Sequence, residues 1–215
     1  MALVALMLIP AAFAILYRLM PPPATPLMII RWSEGEGVEK SWVPLERIST
    51  HLQRAVVAAE DARFCEHFGF DWIEMRRAFD EYRRRGRRRG ASTITMQTAK
   101  NLFLWPSRDV VRKGLEAYIA PQLEVILGKR RILEIYLNIV EWGPGVYGSE
   151  AAARRYFAKP AAQLEPREAA LLAAVLPKPR GWSPVAPTEF ISGRAAEISR
   201  EMRLVPVGPG VCSSG

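Results

Sequence analysis

Residues 58–69 read AAEDARFCEHFG: a Glu–Asp pair, a thiol and an imidazole set among alanines and phenylalanines. On a helix over 53–68, Glu60, Phe64 and His67 would share one face, and Asp61 and Cys65 the neighbouring one. The preceding AVVAA presses Glu60 toward an apolar wall. That disfavours the charged carboxylate and raises its pKa toward that of a general base. Zinc fits poorly, because Cys65-x-His67 lacks ligand spacing and only His51 and Cys212 remain to complete a set. A Cys–His nucleophile pair fails too, since positions i and i+2 of a helix point to different sides. Alone, the stretch reads equally well as a helix with a satisfied polar face.

Two further groups change that weighting. In GASTITMQTAKN (90–101), Thr93, Gln97 and Lys100 stand at i, i+4 and i+7, so two neutral hydrogen-bonding groups and a cation line one face. A hydroxyl-rich helix start followed by a lysine suits an anionic ligand. In RKGLE (112–116), Arg112, Lys113 and Glu116 fall within one turn. Such pairs are common surface salt bridges worth little singly. Together the three groups offer two glutamates and at least three cations, which points to acid/base chemistry on an anionic substrate.

The elements that must position these residues are mostly helical. Apolar residues recur at helical spacing over 51–68, 70–85, from about Ser92 to 104, through most of 111–143, and over 149–159, 165–176 and 189–204. Pro121 is expected to kink the long 111–143 segment, with Gly128 a second weak point. MIIRWSEG (28–35) reads as a short strand or extended segment, and WGPGVYG as a loop. The chain of 215 residues suits one full-sized domain with a short appendage. The division expected is 1–20 as a transmembrane anchor, 21–43 as a linker or extended segment, 44–205 as the catalytic domain and 206–215 as a tail. MALVALMLIPAAFAILYRLM carries no charge until Arg18 and is about as long as a bilayer core requires, and PPPATP then breaks the helix.

Net charge is +8, and RRAFDEYRRRGRRRG (76–90) concentrates eight arginines against Asp80 and Glu81. Such a loop implies a local anionic partner, read here as membrane headgroups. Only Phe79 and Tyr82 interleave with the arginines, so nucleic acid is not expected. Cys65 and Cys212 are far apart and indicate neither a disulfide framework nor a CxxC metal site. Cys65 then reads as a small buried side chain beside Glu60.

AVVAAEDARFCEHFGFDW, GASTITMQTAKNLFL, RKGLEAYIAPQLE, KRRILEIYLNIVEWGPGVYGSEAAARRYF and EAALLAAVLPKP occur in that order, over roughly residues 44–180. They resemble the motifs of glycosyltransferase family 51, most closely its monofunctional biosynthetic peptidoglycan members. The resemblance implies a mainly α, lysozyme-like helical glycosyltransferase domain with an N-terminal transmembrane helix. It also implies a catalytic domain on the periplasmic side of a bacterial inner membrane, with lipid II and the growing glycan chain as partners. Glu60 takes the place of the family's general base, which deprotonates the acceptor 4-hydroxyl. Glu116 matches its second glutamate. Lys100, Arg112 and Lys113 match the residues that hold the pyrophosphate, and Ser92, Thr93, Gln97 and Asn101 match positions lining the donor cleft. Asp61, Phe64 and His67 match the remaining members of the first motif. A divalent cation, Mg2+ or Mn2+, is expected at the substrate pyrophosphate rather than in a cluster of protein ligands.

Two departures stand out: Met96 replaces a second glutamine beside Gln97, and Pro121 interrupts a stretch expected to be continuous helix. No S-x-x-K occurs, so glycan polymerisation without cross-linking is expected. A lysozyme-like hydrolase is the first rival, although neutral sugar linkages do not need Lys100, Arg112 and Lys113. A membrane-anchored module binding anionic lipid or nucleic acid through the arginines is the second.

Overall fold

The computed structural model describes residues 2–86, 90–107, 109–208 and 211–212, with side chains from residue 8 onward. Arg87, Arg88 and Arg89, the densest part of the arginine run, lie outside the described residues.

Helix α1 (Ala2–Leu19) leads through a proline segment into α2 (Pro26–Ser33). The expected strand at 28–35 is thus a helix. Its start is set by Thr25, whose hydroxyl accepts from the Met28 amide, and by Pro26, whose fixed φ suits the first turn. Strand β1 (Glu39–Lys40) follows, then α3 (Thr50–Glu60), α4 (Trp72–Arg85), α5 (Ile94–Phe103) and the long α6 (Val110–Ile139). The glycine-rich segment expected as a loop forms β2 (Glu141–Gly143) and β3 (Val146–Tyr147), which pair antiparallel, while β1 adds parallel to β3. Helices α7 (Ser149–Phe157), α8 (Pro166–Val175) and α9 (Glu189–Glu201) precede a hairpin of β4 (Val207–Gly208) and β5 (Val211–Cys212).

Helix α8 buries Ala169, Ala170 and Leu172 to Val175, and it packs against α3 and α9 through small residues that let the backbones approach closely. Leu52, Ala55, Val56 and Val57 of α3 and Ile132, Leu133, Ile135, Tyr136 and Leu137 of α6 complete the same core. Each fully buried aliphatic side chain contributes about 1.5–3 kcal/mol from its removal from water.

Helix α3 stops at Glu60, well short of the expected end at 68. Asp61 leaves helical geometry (φ −163°, ψ 66°) because its side chain serves another element: Oδ2 accepts the Ile94 amide, 2.9 Å away, at the open N-terminus of α5. Residues 61–71 are therefore a loop. Helix α6 is expected to bend at Pro121, yet it passes through that residue and breaks at Gly128 (φ 72°, ψ 163°), a conformation essentially confined to glycine.

Among the described residues, no helix is long and apolar enough to cross a membrane, so the expected transmembrane anchor at 1–20 is not found. The last turns of α1 pack against protein. Ala14 and Tyr17 are buried, Tyr17 stacks on Phe103, and Arg131 donates to the carbonyls of Tyr17 and Met20, both at 2.9 Å. The cysteine reading is corrected as well. Cys65 and Cys212 form a disulfide across 147 residues, with Cα atoms 5.4 Å apart. The bond fastens β5 to the 61–71 loop, and Arg54 Nε holds the Val207 carbonyl at 2.7 Å on the same hairpin.

Candidate active site

Glu60 ends α3 at the lip of a cleft, and Gln97 of α5 reaches it from the facing wall. Gln97 Nε2 donates to Glu60 Oε2 at 2.9 Å, and the Tyr136 hydroxyl donates to Gln97 Oε1 at 3.0 Å. That second bond fixes which end of the amide faces the carboxylate. Tyr136 is fully buried, and burial beside Glu60 and Asp61 pushes its phenol well above the ordinary range, so it remains a donor. Burial raises the Glu60 pKa above its ordinary 4.5, opposed by the Gln97 hydrogen bond and the charges of Arg194 and Lys100.

The loop after Glu60 is stitched to its surroundings. His67 Nε2 lies 2.8 Å from Asp61 Oδ1, and Thr93 Oγ1 donates to the Gly69 carbonyl at 2.6 Å. Glu124, buried on α6, accepts from the Gly69 amide (3.0 Å), Thr95 Oγ1 (2.6 Å) and Lys129 Nζ (2.7 Å). Lys129 also sits over the Phe64 ring, 4.4 Å from its centre. Phe64 is fully buried, so its side chain belongs to the core behind the base. Asp61, His67 and Asp71 bring ligand-type atoms within 4.8 Å of one another, a proximity that the motif spacing does not show. His67 Nε2 and Asp61 Oδ1 already pair with each other, and Asp71 Oδ1 caps α4 by accepting from the Ile73 and Glu74 amides.

Lys100, Arg112 and Lys113 gather beside Gln97 and Ser92. Lys100 and Asn101 continue along α5, with Asn101 largely buried. On the first turns of α6, Arg112 pairs with Glu116 Oε1 and Lys113 Nζ with Glu116 Oε2 at 2.7 Å. Lys113 Nζ also donates to Ser92 Oγ at 2.6 Å. Burial, reinforced by the charges of Arg112 and Lys100, lowers the Lys113 pKa from 10.5 to about 8.

The structure thus gathers Glu60, Gln97, Ser92, Lys100, Arg112, Lys113 and Glu116 around one cleft, with Asp61 and His67 in its supporting loop and Thr93 capping α5 against that loop. Two cavities adjoin Gln97 there. One, of about 650 Å³, is lined by Glu60, Asp61, Ser92 and Arg194; the other, of about 310 Å³, is lined by Lys100, Asn101, Trp105 and Arg112. Gln97 and Pro177 line both. Sequence reasoning missed Tyr136 and Arg194. The signal for Tyr136 was available: a tyrosine in the aliphatic run ILEIYLNI must find a partner for its hydroxyl once buried. Arg194, in ISGRAAEIS, carries no comparable signal.

A base hydrogen-bonded to Gln97 and a group of cations beside it suit acid/base chemistry on an anionic substrate. Residues 28–203 match the family Transglycosylase, and the chain belongs to it. It is 55% identical over 204 residues to a biosynthetic peptidoglycan transglycosylase of Rhodospirillum centenum, covering 94% of this chain and 88% of that one. It is 48% identical over 191 residues to the protein of that name in Caulobacter vibrioides, covering 89% and 83%. The counterpart in Bdellovibrio bacteriovorus is 50% identical over 203 residues, covering 92% and 80%.

The lysine gives the site an alkaline limit. Below about pH 8 Lys113 is mostly a cation, and above it the ammonium is lost. Affinity for an anionic group bound beside Lys113 is therefore expected to fall as pH rises through about 8. Lys113→Arg should remove that limb, since guanidinium does not titrate there. Measuring KM from pH 6.5 to 9.5 in both proteins is the check, and parallel profiles would refute the assignment.

Proposed function

We propose that the chain polymerises peptidoglycan glycan strands from lipid II, without cross-linking them. The observation that carries this reading is Gln97 standing between two cavities, with Glu60 lining one and Lys100 and Arg112 the other, while Lys113 donates to Ser92, which lines the Glu60 cavity. Glu60 takes the proton of the acceptor sugar's 4-hydroxyl. The freed oxygen forms a bond to C1 of the donor sugar from the face opposite its diphosphate, and the C1–O bond breaks with inversion. The lipid diphosphate departs with the bonding pair, and the three cations neutralise the charge it gains. Both Glu116 carboxylate oxygens are engaged by Arg112 and Lys113, so Glu116 sets the direction of those cations.

A divalent cation at the diphosphate fits this arrangement best if phosphate oxygens carry most of its ligands, because both Glu116 oxygens already pair with Arg112 and Lys113. When bound it would supply further neutralisation of the leaving group. The protein is placed at the outer face of a bacterial inner membrane. The disulfide supports an oxidising compartment. Leu8, Ile9, Phe13, Ile15, Leu16 and Leu19 expose an apolar face on α1, suited to holding the protein at a bilayer. Arg83, Arg84 and Arg85 in the last turn of α4 supply the basic surface for anionic headgroups.

Lipid II in anionic vesicles provides the test. The expected outcome is a ladder of glycan strands, with protein sedimenting with the vesicles at low salt. Soluble muropeptides released from finished glycan would replace this reading with the hydrolase, and protein left in the supernatant would refute the membrane placement.

A further inference from the structure

The smaller cavity holds a cation that the family motifs do not include. Arg31 of α2 lines it together with Lys100 and Arg112. Helix α2 is a firm platform for that side chain. Thr25 caps it, Met28 is buried beneath it, and Lys40 ties down the preceding segment through the carbonyls of Pro22 and Pro23. Arg31 donates to Glu34 at 2.6 Å, three residues on, and the Glu34 side chain is 48% exposed. Such a pair contributes little and yields readily to a stronger acceptor. The Arg31 Nε is buried without a partner, so the guanidinium carries unspent donor capacity. Glu141, the carboxylate lining the same cavity, is engaged by Arg180 at 3.3 Å. The cavity therefore presents cations from three different helices, α2, α5 and α6, to whatever fills it.

We propose that Arg31 is a further binding residue of this cleft, taking an anionic oxygen of the substrate that fills the Lys100–Arg112 cavity. Two groups on a lipid-linked, peptide-bearing sugar carry that chemistry: a phosphate of the diphosphate and a carboxylate of the peptide. The inference rests on the polymerase reading and extends it to a residue outside the motifs. Arginine suits either group, because its planar fork matches the spacing of two oxygens.

The experiment compares wild type, Arg31→Gln and Arg31→Lys on lipid II and on lipid II whose peptide carboxylates are amidated. Arg31→Gln is expected to raise KM about tenfold, the effect of one lost charge-assisted hydrogen bond, with kcat within about twofold. Arg31→Lys should recover part of the loss, and the thermal midpoint should not move. If the tenfold ratio persists on the amidated substrate, Arg31 holds phosphate; if it collapses, Arg31 holds the peptide. Either result supports the proposal. An unchanged KM in Arg31→Gln on both substrates overturns it. So does a raised KM accompanied by a lowered thermal midpoint and no recovery in Arg31→Lys, which would make the residue structural. A wild type that builds no polymer defeats the polymerase reading itself, whereas an active wild type with an indifferent Arg31→Gln defeats only this inference.

Discussion

Glu60→Gln is expected to lower kcat for glycan polymerisation by about 10²–10⁴-fold, the usual contribution of a positioned general base. The substitution keeps the volume of the side chain and an oxygen able to accept from Gln97, so the fold should survive it. A kcat within a few-fold of wild type would move the base elsewhere, with Glu116 the next candidate. The pH profile gives an independent reading. Burial holds the Glu60 pKa above 4.5, and the Gln97 hydrogen bond works against that rise. Activity should fall as the pH drops through the raised value, because the carboxylate is then protonated. Gln97→Ala removes a donor that favours the ionised form, so its acid limb should shift to higher pH. Such a shift, with the thermal midpoint retained, separates a positioning role for Gln97 from a merely structural one.

Loss of the Cys65–Cys212 bond is expected to be the largest effect on stability. Cross-linking residues 147 apart restricts the unfolded chain far more than the folded one, and removing such a bond costs about 2–5 kcal/mol. For a domain of this size that lowers the thermal midpoint by about 10 °C. Melting curves of the double serine variant, and of wild type with and without reductant, would show it. Coincident curves would mean that the hairpin's own packing, Val207 and Val211 in the core and Arg54 on the Val207 carbonyl, suffices without the bond.

The helices around the cleft were legible where the apolar period is long, as in α5, α6, α8 and α9. The cleft residues were legible because Glu60, Lys100, Arg112, Lys113 and Glu116 each sit in a recognisable motif. What could not be read depends on contacts distant in sequence. Asp61 ends α3 because it is needed at the Ile94 amide, thirty-three residues away. A helical period cannot register that demand. The cysteines are joined by the return of the chain end, which spacing does not encode. The α2 error is different. Thr25 and Pro26 are standard helix-start residues, whereas the β-branched pair Ile29 and Ile30 suits a strand equally well.

Helix α6 contributes to both sides of the reaction, through Glu116 near its start and Tyr136 near its end. These residues are twenty positions apart, which on an unbroken α-helix amounts to a net turn of about 200°, nearly opposite directions. A straight rod could not aim both side chains into one cleft. Gly128 resets the heading of the second half between them, so that Tyr136 meets Gln97 while Glu116 steers the cations by Ser92. A Cβ added at Gly128 would touch nothing within 4 Å, so the glycine is required by the angle of the backbone alone. The break thus acts as the joint that sets the angle between the residue orienting the base and the residue aiming the cations.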